Sequence, residues 1–237
     1  MGYFKDQEWA DNNRKVLVIF SGGQDSTTCL FETIKSIQYA DRCVHVITFV
    51  YGQKHSVEIE QSKFICNKYR IPQTIIDISF LNVLVDSALT SNGDVNRLNK
   101  KGLPASFVPN RNQLFITLAH SFAQKIGATV LVGGMCETDY SGYPDCRREF
   151  IDAIELASNI GSDETIKIET PLMYLDKAQT FQLAAKNGYL KEVVEMSHTC
   201  YNGVRDKLYE WGYGCDDCPA CKLRKQGYNK AKKNGWL

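Results

Sequence analysis

The sequence predicts an α/β fold, a doubly wound Rossmann-like parallel sheet with a small helical region at its C-terminal end. Two observations lead to this prediction. Apolar runs of strand length alternate with longer segments whose apolar residues recur at helical spacing, from residue 16 to about residue 187. Four cysteines follow between residues 200 and 221. We therefore expect an α/β domain over residues 1–195 and a small helical region over residues 196–237.

Length, charge and cysteine content limit the classes of protein that fit. With 237 residues, the chain is long enough for one α/β domain and an appendage. A formal net charge of +1 argues against a dominant nucleic-acid-binding surface, although the basic residues near the C-terminus leave a local RNA contact open. No apolar run has the length of a signal peptide core or a membrane span. Nine cysteines are an odd number, which favours thiols and metal ligands in a reducing compartment. We expect a cytoplasmic protein.

The first predicted strand leads into a glycine-rich loop. Residues 16–20 form a continuous apolar run, which is typical of a strand buried on both faces. Gly22 and Gly23 follow directly and allow a sharp turn. Because glycine has no side chain, the backbone N–H groups of such a turn can approach a ligand closely.

A helix is expected after this loop, over residues 26–38, with Ser26 and Thr27 as its caps. Free N–H groups at a helix N-terminus attract anions, and the hydroxyl of Ser21 adds a donor. The loop lacks the lysine of the GxxxxGK[ST] motif and the spacing of GxGxxG. It therefore predicts a phosphate or pyrophosphate site of another type.

The next elements continue the alternation of strand and helix. We expect strands over residues 44–50 and 74–78, with a helix between them from residue 57 to about residue 69. His55 lies at the sheet edge where parallel strands end, and it is either a proton carrier or a cap of that helix. Residues 86–109 have no sustained periodicity, and a loop of this length is either functional or disordered.

Two basic residues lie where a helix is expected to begin. Arg111 opens a helix that runs to about residue 126, and Lys177 lies in the first turn of a helix that Asp176 caps. A cation at a helix N-terminus is unfavourable unless an anion lies nearby. Each residue is therefore either a ligand for phosphate or substrate, or an ordinary surface side chain.

The loop after the fourth strand is rich in reactive side chains. We expect strands over residues 129–132 and 166–170, with a helix ending near residue 160 between them. Residues 133–148 combine carboxylates, hydroxyls, aromatic rings and two arginines, which is the composition of a small-molecule pocket. The candidate residues are Glu137, Asp139, Tyr143, Asp145 and Arg147. Cys136 and Cys146 are interpreted as packing residues.

The C-terminal cysteines have the spacing of a metal site. Cys200 is followed, fourteen residues later, by Cys215, Cys218 and Cys221 in a C-x2-C-x2-C pattern. Four thiolates close a tetrahedral shell and leave no open position for catalysis, which favours structural zinc. An iron-sulfur cluster also takes four thiolates and remains the alternative. The other five cysteines lack metal-ligand spacing.

The glycine-rich loop resembles the PP-loop of the ATP pyrophosphatases, and the whole pattern resembles the QueC family, the 7-cyano-7-deazaguanine synthases of queuosine biosynthesis. The resemblance extends from residue 16 to about residue 227. It rests on FSGGQDSTTCL at 20–30, YGQKH at 51–55, FVPNRN at 107–112, CETDYSGYPDCR at 136–147, ETPL at 169–172, TCYNG at 199–203 and the terminal cysteines. Residues 207–214 depart from the family pattern and are interpreted as an insert.

The resemblance implies a fold of the adenine nucleotide alpha hydrolase type and a set of site residues. It implies ATP binding by Phe20, Ser21, Gly22, Gly23, Gln24, Asp25, Ser26, Thr27, Thr28, Cys29 and Leu30, and zinc binding by Cys200, Cys215, Cys218 and Cys221. Catalytic roles are implied for Asp25, Arg111 and Lys177. Substrate binding is implied for Arg111, Glu137, Asp139, Tyr143, Asp145 and Arg147, with Tyr140 or Tyr143 stacking on the substrate.

The reaction implied by the resemblance converts 7-carboxy-7-deazaguanine and ammonia to a nitrile in an ATP-dependent ligase. An adenylated carboxylate and an amide are the implied intermediates, and magnesium accompanies ATP, with Asp25 holding the ion or ordering the loop. The implied partners are small molecules and a second copy of the chain in a homodimer, without direct nucleic-acid or membrane contact.

Two other interpretations keep part of this pattern. A PP-loop enzyme that thiolates tRNA would use the same ATP chemistry with a cysteine as sulfur carrier, and binding of tRNA that weakens with added salt would support it. A zinc-stabilised nucleotide-binding module without catalysis is the other. The charged and aromatic loop at 136–148 argues against the latter.

Overall fold

A computed structural model of the chain describes residues 14–37, 43–53, 55–85, 107–138 and 143–237. Five parallel strands form its sheet and a two-stranded hairpin lies near the C-terminus. The strands are β1 (Lys15–Ile19), β2 (Val44–Val50), β3 (Gln73–Asp77), β4 (Ala128–Val132), β5 (Lys167–Glu169), β6 (Leu208–Tyr209) and β7 (Gly212–Tyr213). The helices are α1 (Gln24–Ser36), α2 (Val57–Tyr69), α3 (Leu81–Leu84), α4 (Arg111–Ile126), α5 (Arg148–Ser162), α6 (Lys177–Lys186), α7 (Leu190–Met196) and α8 (Pro219–Lys233).

The sheet has the order β3-β2-β1-β4-β5, and β1 is its central strand. Val16 is paired with Val44 of β2 on one side, and Val18 is paired with Val132 of β4 on the other. The strand order reverses at β1, because β2 and β3 lie on one side of it and β4 and β5 lie on the other. In open parallel sheets, the crevice at such a reversal is where ligands bind.

Both faces of the sheet are covered, which confirms the doubly wound prediction. Val16 and Val18 pack in one buried cluster with residues of α1 and α6, including Leu30 and Phe181. Leu17 lies between them in sequence and packs in a second cluster, whose other members include residues of α4 and α5. Successive side chains of a strand point to opposite faces, so an unbroken apolar run is what two covered faces require.

The glycine-rich loop fits closely between two neighbouring segments. Gly22 has a φ of +89°, and a Cβ there would overlap the backbone carbonyl of Glu58 and lie 2.9 Å from the backbone nitrogen of Ser62, both in α2. On the other side, a Cβ on Gly134 would lie 3.1 Å from the backbone nitrogen of Ser26. The loop is therefore held between the start of α2 and the segment that follows β4.

Two arginines attach the C-terminal region to the end of α7. Arg224 is 1% exposed, and its guanidinium donates to the carbonyls of Val193 and Trp211, at 2.9 and 2.8 Å. Arg205 donates to the carbonyls of Glu195 and Ser197. The last carbonyls of a helix lack partners within it, so the arginines add donors at the end of α7, where the Val193 carbonyl also accepts the Ser197 hydroxyl.

The segment interpreted as an insert, residues 207–214, contains the β6–β7 hairpin, in which Leu208 pairs with Tyr213. Trp211 at its turn is 3% exposed and packs beside the C-terminal cysteines. Helix α8 then lies across the start of α6, where a Cβ on Gly227 would come within 2.9 Å of the Lys177 backbone. In the part of the chain that the structure describes, no helix has both the length and the apolar character needed to cross a membrane.

Several boundaries differ from the sequence-based prediction. Helix α1 begins at Gln24 with Gly23 as its N-cap residue, so the prediction that Ser26 and Thr27 cap it was wrong. Helix α2 has Ser56 rather than His55 as its N-cap residue, which removes the capping role considered for His55. The predicted cap of α6 is confirmed, since an Asp176 oxygen accepts the backbone N–H of Gln179 at 2.8 Å.

Candidate active site

The glycine-rich loop is ordered by its own hydroxyl groups. The Ser21 and Ser26 hydroxyl oxygens lie 3.1 Å apart, and the backbone N–H of Gly23 donates to Ser21 at 3.2 Å. Ser26 donates in turn to the carbonyl of Gly23. Ser26 therefore holds the shape of the turn rather than capping the helix end. A turn fixed in this way, at the start of α1, presents N–H groups to an anion without further reorganisation.

The remaining residues of the segment from Phe20 to Leu30 are mostly buried. Phe20, Thr28, Cys29 and Leu30 are fully buried, and the Cys29 thiol lies 3.7 Å from the carbonyl of Gly133. These side chains face the core, so only their backbone can contribute to a ligand site. The side chains of Gln24 and Thr27 are also buried, and their polar atoms have no hydrogen-bond partner among the described residues.

An ion pair joins the loop to α6. The Lys177 ammonium lies 2.6 Å from a carboxylate oxygen of Asp25, with side chains 10% and 27% exposed. The two residues are separated by about 150 positions in sequence, yet both were expected near phosphate. The lysine brings a positive charge to the first turn of α1, and Asp25 fixes its position.

Arg111 lies in a second group of side chains at the same sheet edge. Its guanidinium carbon is 5.7 Å from the ring centres of both Tyr51 and Phe115. The Arg111 Nε is buried and has no hydrogen-bond partner among the described residues. Burial lowers the pKa of Arg111, but the neighbouring Tyr51 and Asp145 outweigh burial and raise it. The guanidinium is therefore charged and keeps donors available for a ligand.

Asp145 supports the helix that carries Arg111. It is 7% exposed, and its carboxylate accepts the backbone N–H of Asn112 at 3.1 Å, while the Asn112 amide donates back to the Asp145 carbonyl. Burial raises the pKa of this carboxyl group, and the Asn112 hydrogen bond opposes that shift. Asp145 thus caps the first turn of α4, and through it fixes the direction in which Arg111 points.

Two other candidate residues in the loop after β4 contact α5, and a third packs against Phe107. Glu137 is exposed and accepts the backbone N–H of Arg148, the first residue of α5, at 3.0 Å. Arg147 is half exposed and pairs with Glu149 at 3.6 Å. Tyr143 packs against Phe107, with ring centres 5.4 Å apart. Asp139 and Tyr140 lie outside the described residues.

Glu58 is a residue of this site that the sequence analysis missed. It lies in the first turn of α2, and one of its carboxylate oxygens would be 3.3 Å from a Cβ on Gly23 of the loop. Burial raises the pKa of Glu58 from about 4.5 to about 7, although Arg111 acts in the opposite direction. Tyr201 and Tyr51 belong to the same group, since both are electrostatically coupled to Glu58 and Arg111.

The four C-terminal cysteines converge as predicted. Their sulfur atoms all lie within 4.8 Å of one another, and those of Cys215 and Cys221 are 3.9 Å apart. Tetrahedral zinc with bonds of about 2.3 Å requires sulfur atoms about 3.8 Å apart, so the set fits such an ion. Hydrogen bonds among the thiols lower the pKa of Cys200 and raise the pKa values of Cys218 and Cys221, so the three groups compete for protons that a metal ion would displace.

The cysteine cluster is connected to the glycine-rich loop by residues 197–200. The backbone N–H of His198 donates to the carbonyl of Gly22 at 2.9 Å, two residues before Cys200. Arg224, three residues after Cys221, donates to the Thr199 hydroxyl at 2.9 Å. The four-cysteine cluster and the glycine-rich loop are thus connected through one short, mostly buried segment.

A parallel α/β sheet, a Ser-Gly-Gly loop between its central strand and α1, and a four-cysteine cluster define an α/β protein of the PP-loop class. A family model described as queuosine biosynthesis protein QueC matches residues 15–232. The chain therefore belongs to the QueC family.

Proteins with similar sequences match this chain over most of its length and most of their own. A 7-cyano-7-deazaguanine synthase of Wolinella succinogenes is 52% identical over 218 residues, which cover 90% of this chain and 92% of that protein. A protein of the same name from Helicobacter pylori (strain HPAG1) is 49% identical, with 90% and 94% covered, and one from Burkholderia ambifaria is 47% identical, with 90% of each covered. The family recognised from the sequence motifs is thus confirmed.

Proposed function

We propose that this chain is a 7-cyano-7-deazaguanine synthase, which converts 7-carboxy-7-deazaguanine and ammonia to the nitrile at the expense of ATP. The observation that supports this most is the meeting of two unlike groups of residues at one sheet edge. The first group is an anion-binding loop with Lys177 beside it, and the second is a partly buried cluster of Arg111, Glu58 and tyrosines. The first suits a triphosphate and the second suits a planar, anionic organic acid. Its relatives of that name match the chain over nearly their whole length.

The chemistry begins from a poor electrophile. A carboxylate resists attack until its oxygen becomes a leaving group, which adenylation achieves with release of pyrophosphate. Ammonia then displaces AMP to give the amide, and a second adenylation of the amide oxygen allows that oxygen to leave as AMP while the nitrile forms. Both cycles use the same activation, so one site with one phosphate-binding loop serves both.

One set of residues is proposed to act on the phosphates and another on the substrate acid. The N–H groups of the loop and the Lys177 ammonium stabilise the negative charge that develops on the departing pyrophosphate. Arg111 holds the substrate carboxylate before activation, as its partner-free Nε supports. Magnesium would accompany ATP and neutralise phosphate charge. Asp25 orders the loop through Lys177, which its 2.6 Å contact supports. Tyr143, Glu137, Arg147 and the adjacent Asp139 are proposed to contact the deazaguanine ring.

The cysteine cluster is proposed to hold structural zinc. Four thiolates saturate the ion, so it supplies no Lewis acidity to the substrate and instead stabilises the C-terminal fold. Through His198 and Gly22, this fold supports the glycine-rich loop. The proposed protein acts on small molecules in the cytoplasm as a homodimer, without direct contact with nucleic acid or membrane.

Mass spectrometry of the reaction products tests this function. Purified protein is incubated with magnesium, ATP, ammonium and 7-carboxy-7-deazaguanine, beside a Ser21→Ala, Asp25→Ala double variant. We expect the nitrile, AMP and pyrophosphate from the wild type, and loss of all three from the variant. Absence of nitrile from a folded, metal-loaded wild type would contradict the proposal, and thiolation of tRNA would be tested next.

A further inference from the structure

Glu58 belongs to the second group of site residues but was given no chemical role above, although it also lies beside the glycine-rich loop. Its backbone carbonyl packs against Gly22, and its carboxylate lies beside Gly23. Its carboxylate interacts electrostatically with Arg111 from α4, Tyr51 at the end of β2, and Tyr201 after α7. The side chain is therefore adjacent to the loop proposed for ATP and to the arginine proposed for the substrate acid.

The carboxylate of Glu58 is not engaged in holding the fold together. Among the described residues, no side-chain or backbone donor forms a hydrogen bond with it, and no lysine, arginine or histidine nitrogen lies within 4 Å of it. A half-buried carboxylate without partners is costly, since burial removes water without replacing it. Folding alone gives no reason for a glutamate here, whereas a group that exchanges a proton with a ligand has one.

The surroundings keep this carboxyl group close to the midpoint of its titration. The titratable and charged groups that face it are Arg111, Tyr51 and Tyr201. Burial raises its pKa from 4.5 to about 7, because Arg111 only partly offsets the loss of water. A general base works best when its pKa is near the working pH, where it is both largely ionised and able to accept a proton.

We propose that Glu58 is the general base of the reaction, accepting the protons that the substrate nitrogen loses as the acid becomes first an amide and then a nitrile. This inference rests on the proposed function and adds a catalytic residue to it. The geometry behind it is a carboxylate beside Gly23 of the loop that has no hydrogen-bond partner among the described residues and that interacts electrostatically with Arg111. A substrate acid that is held by Arg111 and activated by ATP at the loop would have to reach both groups, and Glu58 is next to the loop and interacts with the arginine.

The proton balance requires such a group twice. In the first step the nitrogen of ammonia forms a bond to the acyl carbon, the bond from that carbon to the AMP oxygen breaks, and a proton passes from nitrogen to the Glu58 carboxylate. In the second, the adenylated amide is a protonated imidate that first loses one N–H proton to water, and its last N–H proton then passes to Glu58 while the carbon–oxygen bond to AMP breaks and the C≡N bond is completed. The glutamic acid releases its proton to water between steps.

Two other roles for the same carboxylate give different results when tested. A carboxylate that reads the N–H edge of the deazaguanine would govern the affinity for the acid. A magnesium ligand would govern the concentration of magnesium that ATP activation needs. In both cases adenylation suffers, whereas a base that acts on nitrogen is needed only after adenylation.

The decisive comparison is between Glu58→Gln and the matched control Glu60→Gln. Glu60 lies on the same helix two residues further on and is exposed, and within the described ranges its carboxylate accepts the Ser56 hydroxyl. Two activities are measured in the metal-loaded protein. Exchange of labelled pyrophosphate into ATP, with the acid present and ammonium absent, reports adenylation. Formation of nitrile with ammonium present reports the complete reaction.

We expect Glu58→Gln to retain pyrophosphate exchange within about threefold of wild type and to lose nitrile formation by about a hundredfold or more. The Michaelis constant for the acid and the magnesium requirement should not change, and Glu60→Gln should match the wild type throughout. Equal loss of exchange and nitrile formation, a raised Michaelis constant, a raised magnesium requirement, or full activity in Glu58→Gln would each overturn the inference. A wild type that forms no nitrile would overturn the proposed function instead.

A measurement on the unaltered protein keeps the inference testable if Glu58→Gln does not fold. Total ammonium is adjusted so that free ammonia is constant, and kcat for nitrile formation is followed from pH 5 to 9. Because the ionised form is the base, kcat should be high above pH 7 and fall tenfold for each pH unit well below it, while pyrophosphate exchange stays nearly constant across this limb. If nitrile formation and pyrophosphate exchange both fall below pH 7 in the same way, the assignment of Glu58 as the base is contradicted.

Discussion

Substitution of Lys177 by Ala tests the link between the glycine-rich loop and α6. The Lys177 ammonium lies 2.6 Å from Asp25, with exposed fractions of 10% and 27% for the two side chains. Loss of one partner costs about 3–5 kcal/mol for a buried pair and about 0–1 kcal/mol for an exposed pair. At this intermediate burial, we expect the free energy of unfolding to fall by about 2 kcal/mol. Since the lysine also faces developing phosphate charge, kcat should fall about 10²- to 10³-fold.

The chain offers a matched control for this substitution. Lys230 of α8 pairs with Asp176 at 2.7 Å, but its side chain is 58% exposed, so Lys230→Ala should cost less than about 1 kcal/mol and leave kcat unchanged. Urea denaturation of the metal-loaded proteins gives the stabilities, and nitrile formation gives the rates. An additional Asp25→Asn change should restore part of the stability lost in Lys177→Ala, but not the rate. Equal effects of Lys177→Ala and Lys230→Ala would refute this reasoning.

Three further predictions concern stability, and each is read from denaturation curves. Replacing Arg224 by Met removes the donors to the carbonyls of Val193 and Trp211. We expect the free energy of unfolding to fall by about 3 kcal/mol or more, and an unchanged urea midpoint would contradict this role of Arg224. Removing the metal with a chelator should lower the free energy of unfolding by several kcal/mol and make the C-terminal region the first to be cleaved by a protease. Equal stability with and without chelator would exclude a structural ion. Burial disfavours the charged form of Glu58 in the folded state and so raises its pKa. The ionised carboxylate therefore lowers the free energy of unfolding above about pH 7, and this destabilisation is absent below about pH 4.5. Glu58→Gln should therefore be more stable than wild type at pH 8 and equal to it at pH 4.5, and a difference of the same size at both pH values would contradict this account.

Much of the fold could be predicted because its signals are local. The apolar run before Gly22 shows a strand covered on both faces, and β1 is indeed central. The cysteine spacing likewise predicted a cluster that the four sulfur atoms form. Lysine at the start of a helix is locally unfavourable, and this conflict marked Lys177 as a ligand for phosphate or substrate, which stays a prediction; the structure pairs it with Asp25. That the partner is Asp25 depends on the tertiary fold and has no local signal.

The remaining features depend on contacts between distant segments. Glu58 resembles an ordinary acidic residue in the first turn of a helix, where such residues are common; only its proximity to Arg111 and the loop distinguishes it. Asp145 was predicted to bind substrate, a role that stays a prediction, and it also caps α4 from a loop more than thirty residues away. Ser26 has a hydroxyl suited to capping, but the loop turns one residue before α1 and uses that hydroxyl to close itself.

Isotope tracing with 7-carboxy-7-deazaguanine labelled with ¹⁸O in both carboxylate oxygens tests the central claim most directly. If the acid and then the amide are adenylated, each activation transfers one substrate oxygen to AMP. We therefore predict that mass spectrometry finds two molecules of ¹⁸O-labelled AMP for each nitrile formed. Label in inorganic phosphate would contradict adenylation in favour of phosphorylation, and label released only as water would contradict activation of the oxygen by ATP.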